Sequence, residues 1–91
     1  MYEWSAEKDR LLQEERGVGF EDVVIAIDSG GLLAVKEHPN KERYPNQMLY
    51  VVRMKGYAYL VPFVREGERI FLKTIIPSRK ANREFQGDEH A

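Results

Sequence analysis

The sequence predicts a small α+β domain: about four antiparallel strands, two N-terminal helices packed on them and a short C-terminal helix. Three observations carry that prediction. Apolar residues recur at helical spacing up to Ile27 and change to strand-like runs from Leu32 onward. Two turns in the strand region, Lys55-Gly56 and Glu66-Gly67-Glu68, are too short to join anything but antiparallel neighbours. Finally, residues 1–91 make one domain, because a chain of 91 residues has no room for a second core.

Tyr2-Glu3-Trp4 alternates apolar and polar and reads as a short edge strand. Ser5 suits a helix N-cap, and Glu7 in the following turn is favoured by the helix dipole. The helix Ala6–Arg16 has only Ala6, Leu11 and Leu12 as clearly apolar positions, and Gly17 suits its C-terminal cap. A second helix is better marked. Phe20, Val23, Val24 and Ile27 fall at i, i+3, i+4 and i+7, Glu21 and Asp22 occupy its first turn, and Gly30-Gly31 stop it. A stripe of that kind packs against a core.

Strands are expected over residues 32–36, 48–55, 57–64 and 69–76, with a polar loop at 38–46 between the first two. Residues 57–64 are apolar on both faces, which marks a central strand, yet Pro62 removes a ladder donor there. A bulge at Pro62 reconciles the two. Ser78 caps a final helix over 79–85, and residues 86–91 are expected to fray.

A hydrophobic content of 43% and a charged content of 32% describe a globular chain rather than a disordered one. The absence of cysteine excludes disulfides, thiolate metal sites and cysteine nucleophiles, and fits a reducing cytoplasm. The opening residues turn charged at Glu3, unlike a signal peptide. Apolar runs such as 23–27 are far short of the roughly 20 residues that cross a bilayer. A cytoplasmic protein without membrane association is expected.

Net charge is −1, but it is unevenly spread. Residues 1–31 carry eight acids against three bases; residues 53–83 carry eight bases against two acids, Glu66 and Glu68. An acidic front and a basic back fit a polyanion partner for one surface, although two mutually screening halves give the same tally. No glycine-rich phosphate loop occurs, since Gly30-Gly31 end a helix instead of opening one. His38 and His90 are too few for a structural zinc site and neighbour no nucleophile turn. Neither a metal nor a cofactor is expected.

What remains is a basic and aromatic cluster that includes Arg53, Lys55, Tyr57, Tyr59, Phe71, Lys73, Arg79, Lys80 and Arg83. Lys73 is expected mid-strand. Arg79 and Arg83, four apart, share a helix face. Such cations hold phosphates, and exposed aromatic rings stack on unpaired bases. His38 and Tyr44 lie in a loop that can border this surface. Arg79 has a structural alternative, pairing with an acid of the first helix such as Glu7.

Three segments carry a family resemblance. Tyr2-Glu3-Trp4-Ser5-Ala6-Glu7-Lys8 resembles the aromatic-x-Trp-Asp-x-x-Lys opening of BrnT-family toxins. Glu15-Arg16-Gly17-Val18-Gly19-Phe20-Glu21-Asp22 is similar to their Lys-His-Gly-Val-x-Phe-Glu stretch, and Phe71-Leu72-Lys73-Thr74-Ile75-Ile76-Pro77-Ser78-Arg79-Lys80-Ala81 to their closing Arg-Ile-Ile-Ser-Ala-Arg-x-Ala segment. The resemblance implies a RelE-like fold and the toxin of a type II toxin-antitoxin pair. It also implies a cognate ribbon-helix-helix antitoxin, a heterotetramer with it, and contact with operator DNA only through that partner.

The activity implied is metal-independent RNA cleavage that inhibits translation. In that chemistry a 2′-hydroxyl attacks the adjacent phosphate while the protein supplies position and positive charge. The catalytic residues implied are Arg79, Lys73 and Glu84; the resemblance adds Lys8 to the RNA-binding residues, which the basic cluster gives as Arg53, Lys55, Lys80 and Arg83. This chain departs from the pattern at Ser5 (usually Asp), Arg16 (usually His), Pro77-Ser78 (usually Ser-Ala) and Glu84, one position early. A non-catalytic interaction module and an operon-encoded structural subunit stay open as alternatives.

Overall fold

The computed structural model describes residues 1–86. The fraying expected over 86–91 therefore falls, beyond Gln86, outside the described residues, as does His90. A first strand, β1 (Tyr2–Glu3), leads into α1 (Ala6–Arg16), where the Ser5 hydroxyl accepts the Lys8 N–H at 3.2 Å as an N-cap. The chain closes α1 at Gly17 and enters α2 (Phe20–Asp28). Two carboxylates fix that entry. Asp22 accepts the Gly19 N–H at 2.8 Å, and Asp9, one turn into α1, accepts the Phe20 N–H at 2.8 Å. Each takes up a donor that a helix N-terminus otherwise leaves without a partner.

The remaining elements are β2 (Leu32–Glu37), β3 (Met48–Met54), β4 (Tyr57–Glu66), β5 (Arg69–Leu72), β6 (Ile76–Pro77) and α3 (Arg79–Glu84). The final helix stops one residue short of the expected end, at Glu84. Lys55 and Gly56 both adopt positive φ, 52° and 75°, as a two-residue hairpin loop requires. At the other hairpin Glu66 pairs with Arg69 around Gly67-Glu68.

Four antiparallel strands were too few. The sheet has six strands in mixed orientation, in the order β1-β5-β4-β3-β2, with β6 paired to β4. β1 runs parallel to β5, matching Tyr2 with Ile70 and Glu3 with Phe71. Short turns fix direction only between consecutive strands. β1 and β5 are joined through most of the chain, so nothing local constrains their orientation.

The expected strand over 69–76 is broken in two. Leu72 pairs with Phe63 but Ile76 with Leu60, which places one extra residue on the β5–β6 side. Lys73 is thus not mid-strand; it opens the irregular stretch between the two pieces. Pro62 explains the break. Its carbonyl accepts the Lys73 N–H at 2.8 Å, so its N–H position faces the same neighbour and has no hydrogen to give. The bulge expected at Pro62 lies on the strand opposite it.

Alternation along the strands divides the apolar residues between two faces. On one face Tyr50, Val52, Val61, Phe63, Ile70 and Leu72 pack with Leu12 of α1 and with Phe20 and Val23 of α2. Trp4 stacks on Phe20 with ring centroids 5.7 Å apart. Full burial of a side chain such as Phe20 contributes about 1.5–3 kcal/mol. The opposite face is only partly covered. There Ala81 and Phe85 pack with Val51, Ala58 and Leu60; Leu49 and Pro62 are buried as well, and the face opens toward Phe71.

Candidate nucleic-acid interface

The open part of the second face lies toward β5. Phe71 is 37% exposed there, and Lys73 Nζ stands 5.3 Å from its ring centroid, a cation–π contact. Phe71, Lys73, Val64, Glu3, Glu66 and Arg69 line a depression of about 330 Å³. A second hollow, of about 260 Å³, is lined by His38, Tyr44, Gln47, Pro62, Thr74, Ile76 and again Lys73. Lys73 forms no ion pair with any described residue, so its charge is available to an outside anion.

The Glu3 carboxylate binds Arg69 through two bonds, 2.9 Å to Nε and 2.8 Å to Nη2. These bonds hold its pKa below the usual carboxylate value and raise that of Arg69. On the other face, burial and the neighbouring Tyr50 raise the Tyr2 phenol above its ordinary value.

At α3, the Ser78 hydroxyl caps the helix by accepting the Ala81 N–H at 3.1 Å. Ala81, Asn82 and Phe85 turn toward the sheet, which leaves Lys80 and Glu84 on one flank and Arg79 and Arg83 on the other. Glu84 accepts a bond from Lys36 Nζ of β2 at 2.9 Å. Arg79 and Glu84 lie five positions apart, about 140° around the helix axis, so the structure does not bring them together. Nor does Arg79 meet Glu7, whose carboxylate pairs with Arg10 at 2.6 Å.

The remaining basic candidates are dispersed. Arg53 donates to Asn82 Oδ1 at 3.2 Å and to the Phe85 carbonyl at 2.9 Å, fastening α3 to the sheet. Lys55 Nζ donates to the Gly17 carbonyl at 2.9 Å, at the junction of the two N-terminal helices. Lys8 belongs to α1, the layer on the other face. Lys80 shares a groove with Lys36 and Glu84, and Arg83 is exposed. Of the basic site candidates, Lys73 lines the open depression by Phe71, beside the Arg69 that Glu3 engages. Gln47 was missed in the sequence because a polar residue in a loop carries no periodic signal, and Thr74 because it falls inside the strand expected over 69–76.

No helix among the described residues is long and apolar enough to cross a membrane. Among the same residues no group of three or more His, Asp or Glu could hold a metal ion. No protein-family model matches the chain, and no curated protein matches it.

Proposed function

We propose that this protein is an RNA-cleaving toxin of the BrnT kind, RelE-like in fold, acting in the cytoplasm without a metal and neutralised by a ribbon-helix-helix antitoxin in a heterotetramer. The observation that carries this reading is the meeting of the three segments that resemble the family. Trp4 of the first stacks on Phe20 of the second. Arg16 of the second donates to the Ile75 carbonyl of the third at 3.2 Å. Glu3 of the first is in register with Phe71 of the third. Segments far apart in sequence thus form one unit, which carries Lys73 and Arg79.

In this reading Lys73 and Arg79 stabilise the charge that builds on the phosphate as the 2′-hydroxyl attacks. Arg83 and Lys80 add positive potential along the strand. The test is expression without the antitoxin, together with incubation of the purified protein with RNA in the presence of a chelator. Growth arrest and cleavage are expected, and Lys73→Ala and Arg79→Ala each lower cleavage by about a hundredfold, the order found for loss of one charge-stabilising donor. A folded Arg79→Ala protein as toxic as its parent removes Arg79 from the site.

A second reading, a non-catalytic interaction module, is favoured by one observation: the Glu84 carboxylate is engaged by Lys36. That reading expects a tight complex with a partner protein and no cleavage of purified RNA.

A further inference from the structure

Lys73 stands between two hollows and lines both. On one side the exposed Phe71 ring faces solvent beside Val64. On the other the His38 and Tyr44 rings lie against each other, centroids 4.6 Å apart and planes tilted by 40°. Each hollow therefore pairs the shared Lys73 cation with an aromatic surface of its own, and the Phe71 hollow also has the Glu3–Arg69 ion pair and Glu66 in its lining. At about 330 and 260 Å³ they suit a small planar group rather than a folded segment.

The loop that carries His38 and Tyr44 is held by its own hydrogen bonds. The Tyr44 N–H donates to the Asn40 carbonyl at 3.0 Å and the Gln47 N–H to the Tyr44 carbonyl at 3.2 Å. His38 Nδ1 accepts the Asn40 N–H at 3.0 Å, so the neutral ring carries its proton on Nε2 and offers a donor there. Gln47 and Thr74 line the same hollow with an amide and a hydroxyl. The Arg43 guanidinium lies 5.4 Å from the Tyr44 ring centroid and adds positive charge. Aromatic surface, polar donors and acceptors, and a cation at the rim are what recognition of an unstacked nucleobase uses.

We propose that the two hollows are adjacent base subsites for single-stranded RNA. One base rests on Phe71, the next against His38 and Tyr44, and the phosphate between them sits on Lys73. This rests on the RNA reading above and adds to it the path of the strand. A duplex does not fit, because its bases are stacked and paired and cannot part around Lys73.

The test uses the full chain and a single-stranded oligonucleotide that is 2′-O-methylated throughout, which removes the attacking hydroxyl. It carries one 2-aminopurine, whose fluorescence falls on stacking. Binding to the parent protein is expected to quench the probe in the single strand, whereas in a duplex of the same sequence, where the probe is already stacked, the protein is expected to change its fluorescence no further. Phe71→Ala and Tyr44→Ala each weaken binding by about fivefold or more and leave its salt dependence unchanged. Lys73→Ala lowers the slope of log affinity against log salt by about 0.7. Thermal melting checks that each variant is folded, and the quenching of the parent needs no variant. Binding that depends on Lys73 but neither quenches the probe nor responds to Phe71→Ala and Tyr44→Ala overturns the subsites and leaves the RNA reading intact. No binding by the parent overturns both.

Discussion

Arg53 and Ala58, on neighbouring strands, share one acceptor, the Asn82 side-chain oxygen: Arg53 Nη1 reaches it at 3.2 Å and the Ala58 N–H at 3.2 Å. Asn82 therefore clips α3 to β3 and β4 at once, and the residue that the basic cluster offered to RNA is a structural fastener. Asn82→Ala takes the acceptor from a partly buried backbone donor and is expected to cost about 1–3 kcal/mol. Asn82→Asp, which keeps an oxygen in place, is expected to cost less. Urea denaturation of the two variants measures the difference.

The bond between Lys36 and Glu84 joins two side chains that are each almost half exposed. Lys36→Ala is therefore expected to change stability by less than about 1 kcal/mol. With its carboxylate turned to β2 and away from Arg79, Glu84 is expected not to act as the base. Glu84→Gln should cleave RNA within about threefold of the parent, where general-base loss costs about a hundredfold or more. A hundredfold fall in the cleavage rate returns Glu84 to the catalytic set.

Glu3 and Arg69 set a pH dependence at the β1 edge. Arg69 lowers the folded-state pKa of Glu3, so the folded state is favoured above the ordinary carboxylate value. That stabilisation is lost as pH falls through the lowered folded value. The difference in Tm between the parent and Glu3→Gln should accordingly be constant at neutral pH and shrink toward zero in acid. A difference that persists unchanged in acid assigns the effect of Glu3 to something other than its charge.

Gly31 is crowded by backbone, not by flexible side chains. A Cβ there would lie 2.8 Å from the Arg53 carbonyl oxygen and 2.9 Å from that of Ala26. Both positions are fixed, since the Gly31 N–H donates to Ala26 O at 2.7 Å and the Arg53 N–H to Gly31 O at 2.8 Å. Gly31→Ala is expected to destabilise by about 1–3 kcal/mol, the range for overpacking, read as a lower midpoint in urea.

Much of the fold was legible because it is locally encoded. Ser5 and Ser78 cap their helices, and the stripe at Phe20, Val23, Val24 and Ile27 faces the core. The Lys55-Gly56 and Gly67-Glu68 turns fix the order and direction of β3, β4 and β5. Each follows from spacing over fewer than ten residues. The candidate site was less legible. Lys73 belongs to the basic and aromatic cluster of the sequence, but nothing local distinguishes it from Arg53 or Lys55, which are equally basic and are taken up by Asn82, Phe85 and Gly17.

By itself the sequence determined an α+β domain, its helices, its hairpins and a basic C-terminal region. Only the tertiary structure decided that β1 runs parallel to β5, that the strand opposite Pro62 breaks at Lys73, and which cations remain available. The physical reason is the same in each case. Propensity, capping and turn chemistry act between near neighbours, whereas a missing ladder donor, the occupant of a guanidinium and a strand's partner depend on residues 11, about 30 and 68 positions away.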